Sequence, residues 1–224
     1  MKHSASQRDN LIDEMEVLGL YFGPDVIGRC LEYWELLCSA APATGVISRN
    51  AVSEGPLRHI GDSLVALAGW LHESSLRLLD VGTGGGIPGV PLTIAHPGLL
   101  TVLMEAQVRR ADWITATVRR LGLGDRVSVI NGRVEEQSRE EVADFDIVTA
   151  RAVAAPARLF RWVLPAIGRE SQLLLWHSDR QTGEVIGALE RPYGGRAFVL
   201  YSTLSYEFKS ICHSSSISSI REAK

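Results

Sequence analysis

Leu78-Leu79-Asp80-Val81-Gly82-Thr83-Gly84-Gly85-Gly86-Ile87-Pro88-Gly89 is the stretch that decides how this chain folds. The apolar residues ahead of Asp80 read as a strand, and Pro88 suits the first turn of a following helix. Glycine reaches positive φ without strain and lets the backbone approach a ligand closely, at a cost in entropy. So dense a glycine run at a strand-to-helix turn marks a binding loop, because open α/β sheets bind ligands beyond the carboxyl ends of their strands.

Working outward, short apolar runs recur at 76–81, 100–105, 127–130, 145–149, 172–176 and 197–201, with a last strand expected at 203–208. Helix candidates separate them at about 88–95, 107–121, 155–167 and 180–190. Alternation of this kind predicts a mainly parallel sheet covered by helices on both faces. Upstream, residues 8–71 read as helical. Leu11, Met15 and Leu18 share one face, and Pro24 opens a helix through Ile27, Leu31, Trp34 and Leu37. A loop is expected over 39–50, rich in Ala, Pro, Gly and Ser, followed by a third helix from about Pro56 to Leu71. The expected organisation is a helical extension over 1–72, a ligand-binding domain over 73–209 and a frayed serine-rich tail over 210–224.

The 224 residues suffice for one domain with an extension. Cys30, Cys38 and Cys212 are too few and too widely spaced for a disulfide framework or a zinc signature, and no metal site is expected. No apolar run approaches the ~20 residues of a membrane span, and the polar start Met1-Lys2-His3-Ser4 lacks a signal-peptide core, so a cytoplasmic protein is expected. Lysine occurs only at 2, 209 and 224, which rules out a P-loop and leaves no Schiff-base lysine in the domain. The net charge of −3 does not mark a nucleic-acid binder, although arginines cluster between Arg109 and Arg169.

The dinucleotide fingerprint G-x-G-x-x-G, counted from Gly82, demands glycine where Ile87 stands. What fits is D-x-G-x-G-x-G from Asp80 to Gly86, which resembles the first motif of Rossmann-like methyltransferases. Their ligand carries an amino-acid group and a sulfonium cation, and Asp80 at the loop entrance suits positive charge. Glu105, at the end of the next strand, is placed to accept ribose hydroxyls.

More of the chain resembles one family, the RsmG (GidB) methyltransferases, which modify N7 of a guanine in 16S ribosomal RNA. The matching segments are Arg58-His59-Ile60-Gly61-Asp62-Ser63-Leu64, Asp80–Gly89 with Pro91, Arg109-Arg110, Gly132-Arg133-Val134-Glu135-Glu136 and Ala150-Arg151-Ala152, over about residues 30–175. The resemblance implies a seven-stranded sheet, S-adenosyl-L-methionine as cofactor, and 16S ribosomal RNA or the small subunit as partner of a monomeric enzyme. It implies that Gly82, Gly84 and Ile87 line the cofactor pocket, that Val134 and Glu135 lie beside the adenine, and that Arg151 faces cofactor and reacting base.

Guanine N7 carries a free lone pair, so its methylation needs no general base, only alignment. Arg151 is therefore expected to position base or cofactor rather than to move a proton. His59 and Asp62, three apart on one helical face, read either as a capping or packing pair or, by the resemblance, as neighbours of the substrate base. Arg109, Arg110, Arg119 and Arg120 read either as a solvated helix surface or as phosphate contacts. Tyr33, Trp34, Trp70 and Trp113 read as packing residues. Methyl transfer to a small molecule or another RNA, and a non-catalytic ribosome-interacting protein, are the rival functions.

Overall fold

The computed structural model describes residues 5–17, 19–69, 74–138, 142, 144–151, 153–154, 156–176, 189–190 and 196–197. The apolar runs form five parallel strands: β1 (Leu76–Val81), β2 (Leu99–Glu105), β3 (Val127–Asn131), β4 (Phe145–Arg151) and β5 (Ile167–Trp176), in the order β3-β2-β1-β4-β5. The chain steps outward from β1 to β3, then crosses back to β4. The order reverses between β1 and β4, where a doubly wound sheet opens a crevice at its carboxyl edge.

Of the seven strands expected, five make this sheet among the described residues. β6 (Leu189–Glu190) and β7 (Arg196–Ala197) pair antiparallel in a separate two-stranded ladder, so Ala197 does not continue the parallel sheet there. The expected strand at 203–208 and the tail over 210–224 lie outside the described residues, as does most of the helix expected over 180–190.

The parallel strands are apolar on both faces, and each face has its own cluster. Leu78, Leu103 and Ile147 turn toward one cluster; Leu79, Met104 and Val148 turn toward the other. Helices α5 (Gly89–Ala95) and α6 (Val108–Arg120) cover the first face, and α7 (Pro156–Val163) the second. On α6 and the residue that ends it, Ala111, Ile114, Val118 and Leu121 form the buried face.

The N-terminal part comprises α1 (Ala5–Val17), α2 (Pro24–Thr44), α3 (Arg49–Glu54), a π-helical turn (Leu57–Gly61), α4 (Asp62–Leu64) and a 3-10 turn (Val65–Gly69). Leu11, Ile27, Leu31 and Leu37 belong to the same apolar cluster as Leu78 and Ile114. The extension thus shares its core with the sheet. Leu18 and Leu71, expected on its helical faces, lie outside the described residues.

The loop expected over 39–50 is corrected. Helix α2 continues to Thr44, because alanines 40, 41 and 43 favour helix; the hydroxyls of Ser39 and Thr44 are accommodated by bonding back onto the carbonyls of Glu35 and Ala40. Pro42 is accommodated within the last turns, and Gly45 ends the helix at φ 64° with its N–H on Ala41 O. Ser48 then caps α3 by accepting from Ala51 N at 3.1 Å.

Candidate active site

At the carboxyl end of β1 the chain makes the glycine loop. Gly86 has φ 99°, and a Cβ there would sit 2.6 Å from Ile114 Cδ1. Only glycine meets both the conformation and the space. Thr83 N donates to Met104 O at 3.0 Å and ties the loop to β2.

Asp80 anchors this loop from beneath. Its side chain is fully buried, Oδ2 accepting from Thr83 Oγ1 (2.6 Å) and Gly89 N (3.1 Å), and Oδ1 from Thr149 Oγ1 (2.8 Å). Burial pushes its pKa up to about 6, against the pull of those three hydrogen bonds. The expectation that Asp80 meets a cationic ligand is therefore corrected: the carboxylate faces protein donors and has no exposed surface.

Glu105 is different. It ends β2, largely buried, with Oε2 accepting from Gly84 N (2.9 Å) and Oε1 from Gln107 N (2.8 Å). Its own carbonyl receives Asn131 Nδ2 at 2.8 Å and Gly132 N at 3.1 Å, so the end of β3 holds it in place. Each carboxylate oxygen keeps a further lone pair for a ligand.

A cavity of about 290 Å³ opens beside Glu105, bounded by Gly82, Met104, Gln107, Val134 and Glu135. It lies at the small end of the ~300–1,000 Å³ typical of small-molecule sites. Gly82, Glu105, Val134 and Glu135 thus border one cavity. Gly84 reaches the site through its bond to Glu105. Ile87, partly buried, packs on the apolar cluster shared with the extension.

At the end of β4, Arg151 meets His59 and Asp62. Arg151 Nη2 lies 3.1 Å from His59 Nδ1, and Nη1 lies 3.6 Å from Asp62 Oδ2. His59 Nε2 is 3.0 Å from Ala51 O, which can only accept. The proton therefore sits on Nε2, and Nδ1 accepts from Arg151. Burial, with Arg151 next in effect, lowers the His59 pKa to about 4, so the ring is neutral at pH 7. Burial raises Asp62 to about 7, with Arg151 pulling the other way. The π-helical turn carrying His59 runs directly into Asp62, which brings both side chains to one guanidinium.

The arginines of α6 divide. Arg110 borders the cavity, its buried Nε without a partner among the described residues. Arg109 is exposed and donates to Ala43 O at 3.2 Å. Arg119 and Arg120 are exposed in the last turn of α6, some ~16 Å along the axis, where the helix dipole favours cations.

Three contributors escaped the sequence. Thr149 stands opposite Asp80 in the β1–β4 register. Tyr33, wholly buried on α2, donates to Gly85 O at 2.6 Å. Trp34 stacks on His59, ring centroids 5.4 Å apart and planes 14° from parallel. The available signal was a tyrosine on an apolar helix face, since a buried tyrosine hydroxyl needs a partner.

Residues 27–193 match the GidB family model, described as rRNA small subunit methyltransferase G. The chain is 36% identical over 165 residues to a ribosomal RNA small subunit methyltransferase G of Mycobacterium marinum, covering 73% of this chain and 70% of that protein. It is 34% identical over 171 residues to the protein of that name from Mycolicibacterium smegmatis, covering 76% and 71%. Among solved structures it is similar, at 17% identity and a TM-score of 0.44, to a SAM-dependent methyltransferase from Thiobacillus denitrificans in complex with S-adenosyl-L-homocysteine, covering 62% of this chain and 52% of that one.

Proposed function

The chain belongs to the rRNA small subunit methyltransferase G family, and from that premise we propose that it transfers a methyl group from S-adenosylmethionine to N7 of a guanine in 16S ribosomal RNA. The observation that carries this reading is the cavity beside Glu105, at the same sheet edge as Arg151, which His59 and Asp62 hold. The residues fit the cofactor. A buried carboxylate with spare lone pairs borders a nucleoside-sized space, and a glycine loop forms one of its walls. Glu105 would hold the ribose hydroxyls, Val134 and Glu135 would lie beside the adenine, and Gly82 would give the loop its close approach.

The cofactor supplies an electrophilic methyl on a sulfonium. The protein supplies alignment. Guanine N7 presents its lone pair without losing a proton, so no side chain need act as base. His59 accords with that: its Nδ1 is engaged by Arg151 and its Nε2–H by Ala51 O, leaving no lone pair free to accept a proton. Arg151 positions base or cofactor, with Asp62 as its partial counter-charge. Arg109 and Arg110, at the cavity end of α6, are proposed to contact the RNA backbone, through which arginine forks bind phosphate. No described helix is long and apolar enough to cross a membrane. We read the protein as a cytoplasmic monomer acting on the small ribosomal subunit.

The test is incubation with radiolabelled S-adenosylmethionine and small subunits from cells lacking the gene. Label recovered from 16S ribosomal RNA as 7-methylguanine establishes the reaction. Cofactor binding with no label in any ribosomal preparation would leave the fold and overturn the substrate.

A further inference from the structure

We propose that α2 is a strut holding both halves of the active site, with Tyr33 positioning the cofactor loop and Trp34 positioning the His59–Arg151 pair. The inference rests on the methyltransferase reading above.

Consecutive helical residues point about 100° apart, so neighbours on one helix can serve different places. Tyr33 turns into the sheet edge. Its hydroxyl donates to Gly85 O at 2.6 Å, and a Cβ on Gly86 would come 3.0 Å from the Tyr33 hydroxyl oxygen itself. A Cβ on Gly85 would lie 2.5 Å from Leu37 Cδ2 and 3.0 Å from Val46 O. The outer side of the glycine loop is therefore walled by α2 and the turn that follows it.

Trp34 turns the other way. Its ring lies nearly parallel to His59 and fixes the imidazole plane. That plane decides whether Nδ1 points at Arg151 Nη2, 3.1 Å away. With Ala51 O on the opposite nitrogen at 3.0 Å, the imidazole is held on its edge and its face. The extension thus sets the geometry of a loop and an arginine that belong to the sheet domain.

The two contacts predict separable losses. Tyr33→Phe leaves a buried carbonyl unpaired in the loop and removes nothing from the Arg151 side. Calorimetric titration with S-adenosyl-L-homocysteine should show Kd rising about 5- to 30-fold, with turnover at saturating cofactor within about threefold of wild type. Trp34→Leu should give the converse, turnover on small subunits down about tenfold or more with an unchanged Kd. Should Trp34→Leu not fold, Trp34→Phe keeps an aromatic face and should lose about threefold in turnover. Ile27→Val, buried on the same helix, should lower Tm and move neither Kd nor turnover.

Wild-type affinity in Tyr33→Phe overturns the strut, as does a Trp34 variant that lowers Tm without lowering turnover. Wild-type protein that fails to take up S-adenosyl-L-homocysteine overturns the methyltransferase reading itself, so the two failures are distinguishable.

Discussion

Replacing Asp80 with asparagine should stabilise this protein at alkaline pH and leave its cofactor loop in place. The carboxylate has no exposed surface, and folding lifts its pKa from 3.8 to about 6. At 1.36 kcal/mol per pH unit that displacement is worth roughly 3 kcal/mol. A folded pKa above the unfolded one means stability that is fully present below 3.8 and lost as pH rises through 6. At pH 8 the wild type therefore carries the cost of a buried charge. Asparagine is nearly isosteric. Its amide oxygen can accept from Thr83 Oγ1 and Gly89 N, and its NH₂ can donate to Thr149 Oγ1, whose hydroxyl rotates to accept. The net gain at pH 8 is about 1–3 kcal/mol, shrinking to about 0.5 kcal/mol or less near pH 4. Urea unfolding at the two pH values measures it, as a midpoint shift of roughly 0.5–1.5 M at pH 8 for a slope near 2 kcal/mol/M. Loss of stability at pH 8, or an equal gain at both pH values, would refute the reasoning. Affinity for S-adenosyl-L-homocysteine should stay within about threefold; a fall beyond about tenfold with an intact fold would return Asp80 to direct ligand contact.

Three further outcomes follow from the site. Arg151→Lys replaces a guanidinium that reaches both His59 Nδ1 and Asp62 Oδ2 with a point charge that cannot fork, so turnover on small subunits should fall about 100-fold. Calorimetry should find cofactor affinity unchanged, and wild-type turnover would dismiss the positioning role. Glu105→Ala releases Gly84 N and Gln107 N and removes the ribose acceptors, so S-adenosyl-L-homocysteine should bind about 100-fold more weakly; a loss under about threefold rules out the ribose role. Asp62, raised to about 7, gains its charge as pH rises through neutrality and only then balances Arg151. Wild-type turnover should accordingly rise across pH 6–8 by about tenfold, Asp62→Asn should flatten that limb, and a limb that persists in the variant assigns it to another group.

The sheet was legible because each strand is a short apolar run bounded by turn residues, and a parallel sheet buried on both faces needs nothing subtler. Glu105 was legible because it ends such a run one βαβ step after the loop. The 39–50 segment was not: its small and polar residues suit a loop by composition, whereas its alanines and the core it shares with the sheet carry α2 on to Thr44. Tyr33 and Trp34 read correctly as packing residues. What they pack against is a loop 52 residues and a histidine 25 residues further on, and apolar spacing along one helix carries no information about either.

Asp80 is the case where the sequence held the answer and charge alone pointed elsewhere. Side chains alternate faces along a strand, so Asp80 must share a face with Leu78 and oppose Leu79 and Val81. Leu78 belongs to the cluster under α5 and the extension, as does Leu103, the partner of Asp80 in β2. A carboxylate in that row lies beneath the helix opened by Gly89, walled by apolar side chains, and must find its partners within the protein. Thr83 and Gly89, three and nine residues on, and Thr149 opposite it in β4, are those partners. Val81, on the alternate face, is the β1 side chain that reaches the cavity. The acidic residue of the motif therefore acts on the loop it holds. That is why its neutral isostere should preserve binding, whereas loss of Glu105, placed where β2 ends and the chain leaves the sheet, should weaken it about 100-fold.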